Sequence, residues 1–310
     1  MQQYRDTDYA AVSAALHARE AKLLTQAMAE RMIDAATPEE SYKTLLECGY
    51  APLERCTLEN VEHALSQARR ELYREVSVLA PDKRIIELFQ VKYDYHNAKL
   101  ALKSKRTGED VSRLAMDCGR FDAQKVLRGE TSAVSAAMSR AMEQAEKEAG
   151  HSGDLRMAEL LLDRACYEEM SALANETGST FLKDYVALQI DAINLRTLVR
   201  AQRMGCEDEI LAAAMLPGGR MFPTQLKGAR GDHLTALTHG TPLSAAGELA
   251  AKLLDGGGSL TEFERACDDA LMTFLQRARR TPFGPEVVVG YLGAKEAECT
   301  AVRTILSGKI

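Results

Sequence analysis

An acidic residue set inside an apolar helical stripe recurs three times in this chain, about a hundred residues apart, and no other feature constrains the fold as strongly. In the uninterrupted helix-forming run from Phe181 to Arg200, Leu188, Asp191, Leu195 and Val199 stand at i, i+3, i+7 and i+11, on one helix face. Val91, Asp94, Ala98 and Leu102 repeat the pattern, and Glu298 is followed on its face by Val302 and Leu306. Asp94 and Asp191 are 97 positions apart, Asp191 and Glu298 are 107. Three residues after the acids stand Asn97, Asn194 and Ala301, and five after them Lys99, Arg196 and Arg303. An ionised carboxylate on a buried face is costly unless a cation or several donors meet it, so each acid calls for a specific partner.

The repeat divides the 310 residues into three segments, 1–107, 108–206 and 207–310, with the polar, glycine-containing stretches Arg106-Thr-Gly-Glu-Asp110 and Gly205–Asp208 as boundaries. With no Trp, 5% aromatic residues and abundant Ala, Leu and Glu, the composition is that of an all-α protein. Helix punctuation agrees. The sequence predicts helices from Asp8 to Leu24, after Thr25, and after Thr37-Pro38, where Thr caps, Pro takes the first position and Glu40 closes a capping box; Gly49 ends that helix. Thr57 opens a long helix through Val61, Leu65, Leu72, Tyr73 and Val76, and Asp82 begins the helix holding Asp94. The second segment reads as small helices over Asp110–Cys118 and Phe121–Leu127, one over Ser132–Ala149 broken by Gly150–Gly153, and a long one over Asp154–Glu176. From Leu216 to about Pro242 the third segment is irregular, followed by a helix from Leu260 to Arg279 capped by Ser259, and a last one after Thr281-Pro-Phe-Gly-Pro285. Leu162-Asp-Arg-Ala-Cys166 and Phe263-Glu-Arg-Ala-Cys267 match, which extends the second and third repeats over the preceding helix.

Several function classes are excluded by what is missing. A net charge of −6 argues against a general nucleic-acid binder. Seven scattered cysteines, odd in number and never spaced as Cys-x-x-Cys, read as reduced core residues of a cytosolic protein. The opening Met1-Gln-Gln-Tyr-Arg-Asp is unlike a signal peptide, and no apolar stretch reaches the roughly 20 residues needed to span a bilayer. There is no phosphate-cradling Gly-x-x-x-x-Gly-Lys, since Gly256-Gly-Gly258 lacks the lysine, and no Gly-x-Ser-x-Gly elbow. His17 with Glu20, and Glu62 with His63, are the close His and carboxylate pairs on helices, too few for a di-metal bundle site. His96 reads as a hydrogen-bonded core or groove residue. Catalytic, cofactor and metal sites are therefore not expected.

The segments Tyr93-Asp-Tyr-His-Asn97, Ile190-Asp-Ala-Ile-Asn-Leu-Arg-Thr-Leu198, and the ending Gly290-Tyr-Leu through Lys295-Glu-Ala-Glu298 and Arg303-Thr-Ile-Leu-Ser-Gly-Lys309 together resemble the C subunit of V/A-type ATPases, the counterpart of the eukaryotic d subunit. The resemblance covers nearly the whole chain, including Leu23-Leu-Thr25 and the helix start at Thr37. It implies three similar helical bundles forming a funnel about a pseudo-threefold axis. It also implies a non-catalytic socket, peripheral at the cytoplasmic face of the membrane, between the central shaft subunits and the proteolipid ring, through which torque couples ATP hydrolysis or synthesis to proton or sodium transport. Ala301 departs from the pattern, standing where the other repeats have Asn97 and Asn194.

Two readings of Asp94, Asn97, Lys99, Asp191, Asn194, Arg196, Glu298 and Arg303 follow. In the first, the acids form salt bridges inside each bundle, with Arg164 and Arg265 on the preceding helices as partners. In the second, acids and nearby cations line the funnel and contact the shaft. The competing function is a soluble helical-repeat scaffold for an unrelated protein partner.

Overall fold

A computed structural model of the chain describes residues 4–153, 155–206 and 208–310. Among them run fifteen α-helices and four 3-10 helices with no strand, so the chain is all-α. Met1–Gln3, Asp154 and Glu207, where the sequence reading set the chain's opening, a helix start and part of a boundary, lie outside the described residues.

Local chemistry sets most helix starts. Thr25 Oγ1 accepts from Met28 N–H at 3.3 Å, and Thr37 and Thr57 accept from Glu40 and Asn60 N–H, each at 3.2 Å. The helices Gln26–Asp34, Pro38–Glu47 and Leu58–Leu79 follow from those caps. Glu40 reaches back to Ala36 N–H at 3.1 Å, one residue before the position a capping box uses. Elsewhere the structure corrects the expected bounds. Ser135 rather than Ser132 caps the helix Ala136–Ser152, which runs through Gly150 and stops at Gly153, where φ is +67°. The C-terminal part of the predicted Leu260–Arg279 helix tightens into a 3-10 turn, Arg277–Arg280, after Gln276. The first helix is Ala10–Glu20 and ends short of Leu24, and over 110–118 only Ser112–Leu114 is helical. Both departures share a cause: side chains of distant helices take the main-chain groups there, as described below.

The residues fall into two compact units. One is Gln90–Gln276. Its helices Leu155–Thr177 and Thr180–Met204 bury Leu162, Cys166 and Met170, and Leu188, Ile190, Leu195 and Leu198, respectively. Phe274 of Leu260–Gln276 meets Phe181 with the rings tilted by 31° and their centres 4.7 Å apart. The other unit joins the two ends of the sequence, Gln2–Phe89 and Arg277–Ile310. Its core sets Cys299, Val302 and Leu306 of the last helix, Pro285–Ser307, among Met32, Leu45, Val61 and Leu65. Each of those seven residues is at most 2% exposed, so the last helix is integral to the N-terminal core.

Candidate functional site

Asp94 and Asn97 lie one turn apart on the helix Arg84–Thr107 and are fully buried. Both grip the segment Met116–Phe121. Asn97 exchanges two hydrogen bonds with the Met116 main chain, donating to its C=O at 2.7 Å and accepting from its N–H at 2.9 Å. Asp94 Oδ1 accepts from the N–H groups of Arg120 at 2.9 Å and Phe121 at 3.3 Å, and Oδ2 takes Arg120 Nε at 2.6 Å. Arg120 continues to Glu169 at 2.9 Å, which Tyr95 and Ser135 also reach at 2.9 Å. Burial pushes the Asp94 carboxyl above the ordinary range, and Arg120 partly offsets this.

The Asp191 helix, Thr180–Met204, builds the same joint on Leu216–Met221. Asn194 exchanges its two bonds with the Leu216 main chain, each at 2.8 Å. Asp191 accepts from Met221 N–H at 2.9 Å and Arg220 N–H at 3.1 Å. Here the guanidinium turns away to Asp184 at 2.7 Å, so main-chain donors alone hold this acid, and burial pushes its carboxyl up. In both joints the chain passes so close that a methyl group on Gly119 would overlap Asp94 Oδ1, and one on Gly219 would overlap Asp191 Oδ1.

Glu298 completes the set with different parts. It is buried and accepts from Leu24 N–H and Tyr50 O–H, at 2.8 and 2.7 Å, and pairs with Lys295. Leu24 stands two residues before the helix Gln26–Asp34, as Phe121 and Met221 stand two residues before Ala123–Leu127 and Pro223–Leu226. The three N–H groups are therefore equivalent positions. Lys22, the counterpart of Gly119 and Gly219, carries a side chain, and the acid that meets this chain is the longer glutamate. Ala301 has no amide to bond a main chain as Asn97 and Asn194 do; Tyr50 and Lys295 instead bring side-chain donors to the acid itself.

The cations five residues beyond the acids form a second threefold set. Lys99 pairs with Asp163 at 2.7 Å, Arg196 with Glu264 at 2.6 Å, and Arg303 with Glu62. Those acids stand in Leu162-Asp-Arg-Ala-Cys166, Phe263-Glu-Arg-Ala-Cys267 and Val61-Glu-His-Ala-Leu65, a third copy that the sequence comparison missed because only acid and alanine persist. All three pairs are partly exposed, and Arg196 also holds Asp268 at 2.6 Å.

All eight singled-out residues thus have partners inside the protein, but the acids do not pair with Arg164 or Arg265. Arg164 donates to the C=O of Ala213 and Met215, at 3.3 and 3.2 Å, bracing the chain that Asp191 holds. Arg265 is 81% exposed and lies 3.6 Å from Asp269. The acids do not pair with preceding helices; each holds the chain that follows the next expected boundary, or, for Glu298, the start of the sequence. The sequence did carry a signal for this. Gly119-Arg120 and Gly219-Arg220 repeat at an interval of 100, shortly before short helices, inside stretches that helix periodicity leaves unassigned. His96 bonds Leu114 C=O at 3.1 Å, as a groove histidine would.

Among the described residues no group of three or more His, Cys, Asp or Glu side chains could hold a metal, and no helix is long and apolar enough to cross a membrane. Fold and site together define an all-helical protein in which buried acids on three long helices hold main-chain segments distant in the sequence: Asp94 and Asp191 hold segments that follow them, and Glu298 holds one near the start. The chain belongs to the ATP synthase (C/AC39) subunit family, whose model matches residues 12–310. It is 23% identical to the C subunit of the V-type sodium ATPase of Enterococcus hirae, over 97% of this chain and 94% of that one. It is 26% identical to the C subunit of the V-type ATP synthase of Thermus thermophilus, over 96% and 93%. With the C subunit of the A-type ATP synthase of Methanocaldococcus jannaschii it shares 22% identity, over 97% and 83%. It is a rotary-ATPase subunit of the C type.

Proposed function

We propose that this protein is the socket of the central rotor: a non-catalytic subunit, peripheral at the cytoplasmic face of the membrane, that joins the central shaft to the proteolipid ring and passes torque between them. The observation that carries this reading is the cyclic order of the joints. Asp94 holds the second repeat, Asp191 the third, and Glu298 the first. A chain bonded in that order is suited to a closed set of three bundles around an axis, the expected funnel of repeats 1–107, 108–206 and 207–310. A torque coupler needs stiffness rather than a reactive pocket, and close-packed helices with buried polar joints supply it.

Asp94, Asn97, Asp191, Asn194 and Glu298 then act as internal fasteners, while Lys99, Arg196 and Arg303, partly exposed, remain the candidates for touching the shaft. The test is affinity purification of tagged protein from detergent-solubilised native membranes, with mass spectrometry of its companions. A proteolipid ring and a shaft subunit, the shaft at near one-to-one stoichiometry, are expected. Recovery of neither, from membranes shown to contain intact rotary ATPase, would leave a helical-repeat scaffold with another partner.

A further inference from the structure

Within Gln90–Gln276, a cavity of about 280 Å³ opens between the end of Thr180–Met204, the residue before Gly231–Thr238, and the end of Ser244–Leu254. Gln202, Arg203, Arg230, Leu253, Leu254 and the triglycine Gly256–Gly258 line it. Among the described residues neither Arg203 nor Arg230 has an ion-pair or hydrogen-bond partner, whereas Arg196, Arg200 and Arg220 each have one. Gln202 donates through Nε2 to Ala229 C=O at 3.4 Å, while its Oε1 is buried without a partner. A buried acceptor left unpaired in a polar cavity calls for a donor from outside the chain.

The arginines are not there to cap the neighbouring helices, because glycine turns already do so. Gly205 and Cys206 N–H groups take the Gln202 and Ala201 carbonyls, and Gly256 and Gly257 N–H groups take those of Leu253 and Lys252. Gly256 and Gly258 adopt φ of +88° and +82°, and their bare main chain keeps the wall free of side chains.

We propose that this cavity binds a phosphate group that retains a proton. Two forked guanidiniums match the anionic oxygens of a tetrahedral oxyanion, and a P–O–H donates to Gln202 Oε1. Hydrogen phosphate meets these demands at neutral pH; sulfate, with the same shape and no proton, does not. The site lies outside the joints and does not depend on the rotor assignment.

Calorimetric titration of the isolated full-length protein with inorganic phosphate, at constant ionic strength and neutral pH, is the test. Saturable binding is expected, with sulfate at least about tenfold weaker, and with Arg203→Gln and Arg230→Gln each weakening phosphate by about tenfold or more. Arg265→Gln, far out on the surface, serves as the control and should bind normally. Both arginines are exposed, so their variants fold, which circular dichroism will establish. Glycerol 3-phosphate in a parallel titration separates the sources: tighter binding than inorganic phosphate would assign the site to a phosphomonoester, weaker binding to free phosphate. Equal responses to phosphate and sulfate, unaltered binding in both arginine variants, or no binding of either phosphate compound would overturn the proposal.

Discussion

The α-carbon of Gly119 faces the carboxylate of Asp94 across a gap too small for a methyl group, and Gly219 faces Asp191 in the same way. The two glycines need no unusual φ. What they provide is close approach, which lets two successive N–H groups point into one carboxylate.

Gly119→Ala and Gly219→Ala should therefore each destabilise the protein by about 2–4 kcal/mol, because the new methyl must displace a buried acid from its donors. Gly150→Ala makes the opposite comparison. That glycine lies on the exposed face of Ala136–Ser152, and among the described residues outside its own helix a methyl there would meet only the flexible end of Arg106. Alanine there should be neutral or stabilise by up to about 1 kcal/mol. Denaturant titration of the three variants checks both. Alanine tolerated at 119 and 219 as well as at 150 would mean the joints are loose.

The two aspartates differ in their partners, and so should their asparagine variants at neutral pH. Asp94→Asn strips the carboxylate from Arg120, whose side chain is only 10% exposed and whose Nη2 is buried without a partner. Glu169 still pairs with Arg120, so the cost should be about 2–4 kcal/mol. Asp191→Asn leaves no cation stranded, since Arg220 already pairs with Asp184, and costs one hydrogen bond, about 1–2 kcal/mol. Equal losses in thermal or chemical unfolding would show that Arg120 adds nothing to its joint.

These joints explain which parts of the fold could be read from sequence. Helix starts at Thr25, Thr37 and Thr57 were legible because cap, donor and helix lie within four residues. The three acids stood out because a charge interrupts an apolar stripe. Their partners did not, because Arg120, Arg220 and Leu24 sit in turns that carry no periodicity, and Leu24 contributes only a main-chain N–H, which any residue but proline would offer. Guided by side-chain charge, the sequence pointed instead to Arg164 and Arg265. The cations at Lys99, Arg196 and Arg303 were found through their spacing from the acids, yet the acid that completes the third pair, Glu62, was hidden in a copy of the repeat reduced to two residues.

Asp191 also gives a pH dependence with a definite sign. Burial raises its carboxyl, so the folded protein keeps a proton at pH values where the unfolded chain has lost it. The stability this group contributes is complete below the ordinary carboxylate range and declines as pH rises through its raised value. Asp191→Asn abolishes that titration while leaving the other carboxylates in place. The melting-temperature advantage of wild type over Asp191→Asn should therefore narrow as pH rises from the ordinary carboxylate range through the raised value. A gap that widens with pH would mean the two N–H donors outweigh burial.

Glu298→Asp tests the trade between side-chain length and glycine. The shorter acid cannot reach Leu24 N–H unless the chain moves in, and Lys22, unlike Gly119 and Gly219, carries a side chain at the corresponding position. Tyr50 and Lys295 lose their buried acceptor as well. A loss of about 2–4 kcal/mol is expected, with faster amide exchange at Leu24 as the local sign. If Glu298→Asp matches wild type in both, the Leu24 bond does not hold this joint.

The partly exposed cations separate the fastening role from the shaft-contact role. In the Arg303 and Glu62 pair each side chain is 40% exposed, so Arg303→Ala should cost at most about 1 kcal/mol. Lys99→Ala, whose partner Asp163 is 42% exposed, should cost no more. If these residues also meet the shaft, the same substitutions will lower shaft retention in the purified complex far more than they lower the melting temperature. Charge exchange makes the distinction sharper: Arg303→Glu combined with Glu62→Arg rebuilds the internal pair but reverses both charges presented outward. Stability restored with shaft binding still lost would assign Arg303 to the shaft surface, whereas recovery of both would confine it to the internal pair.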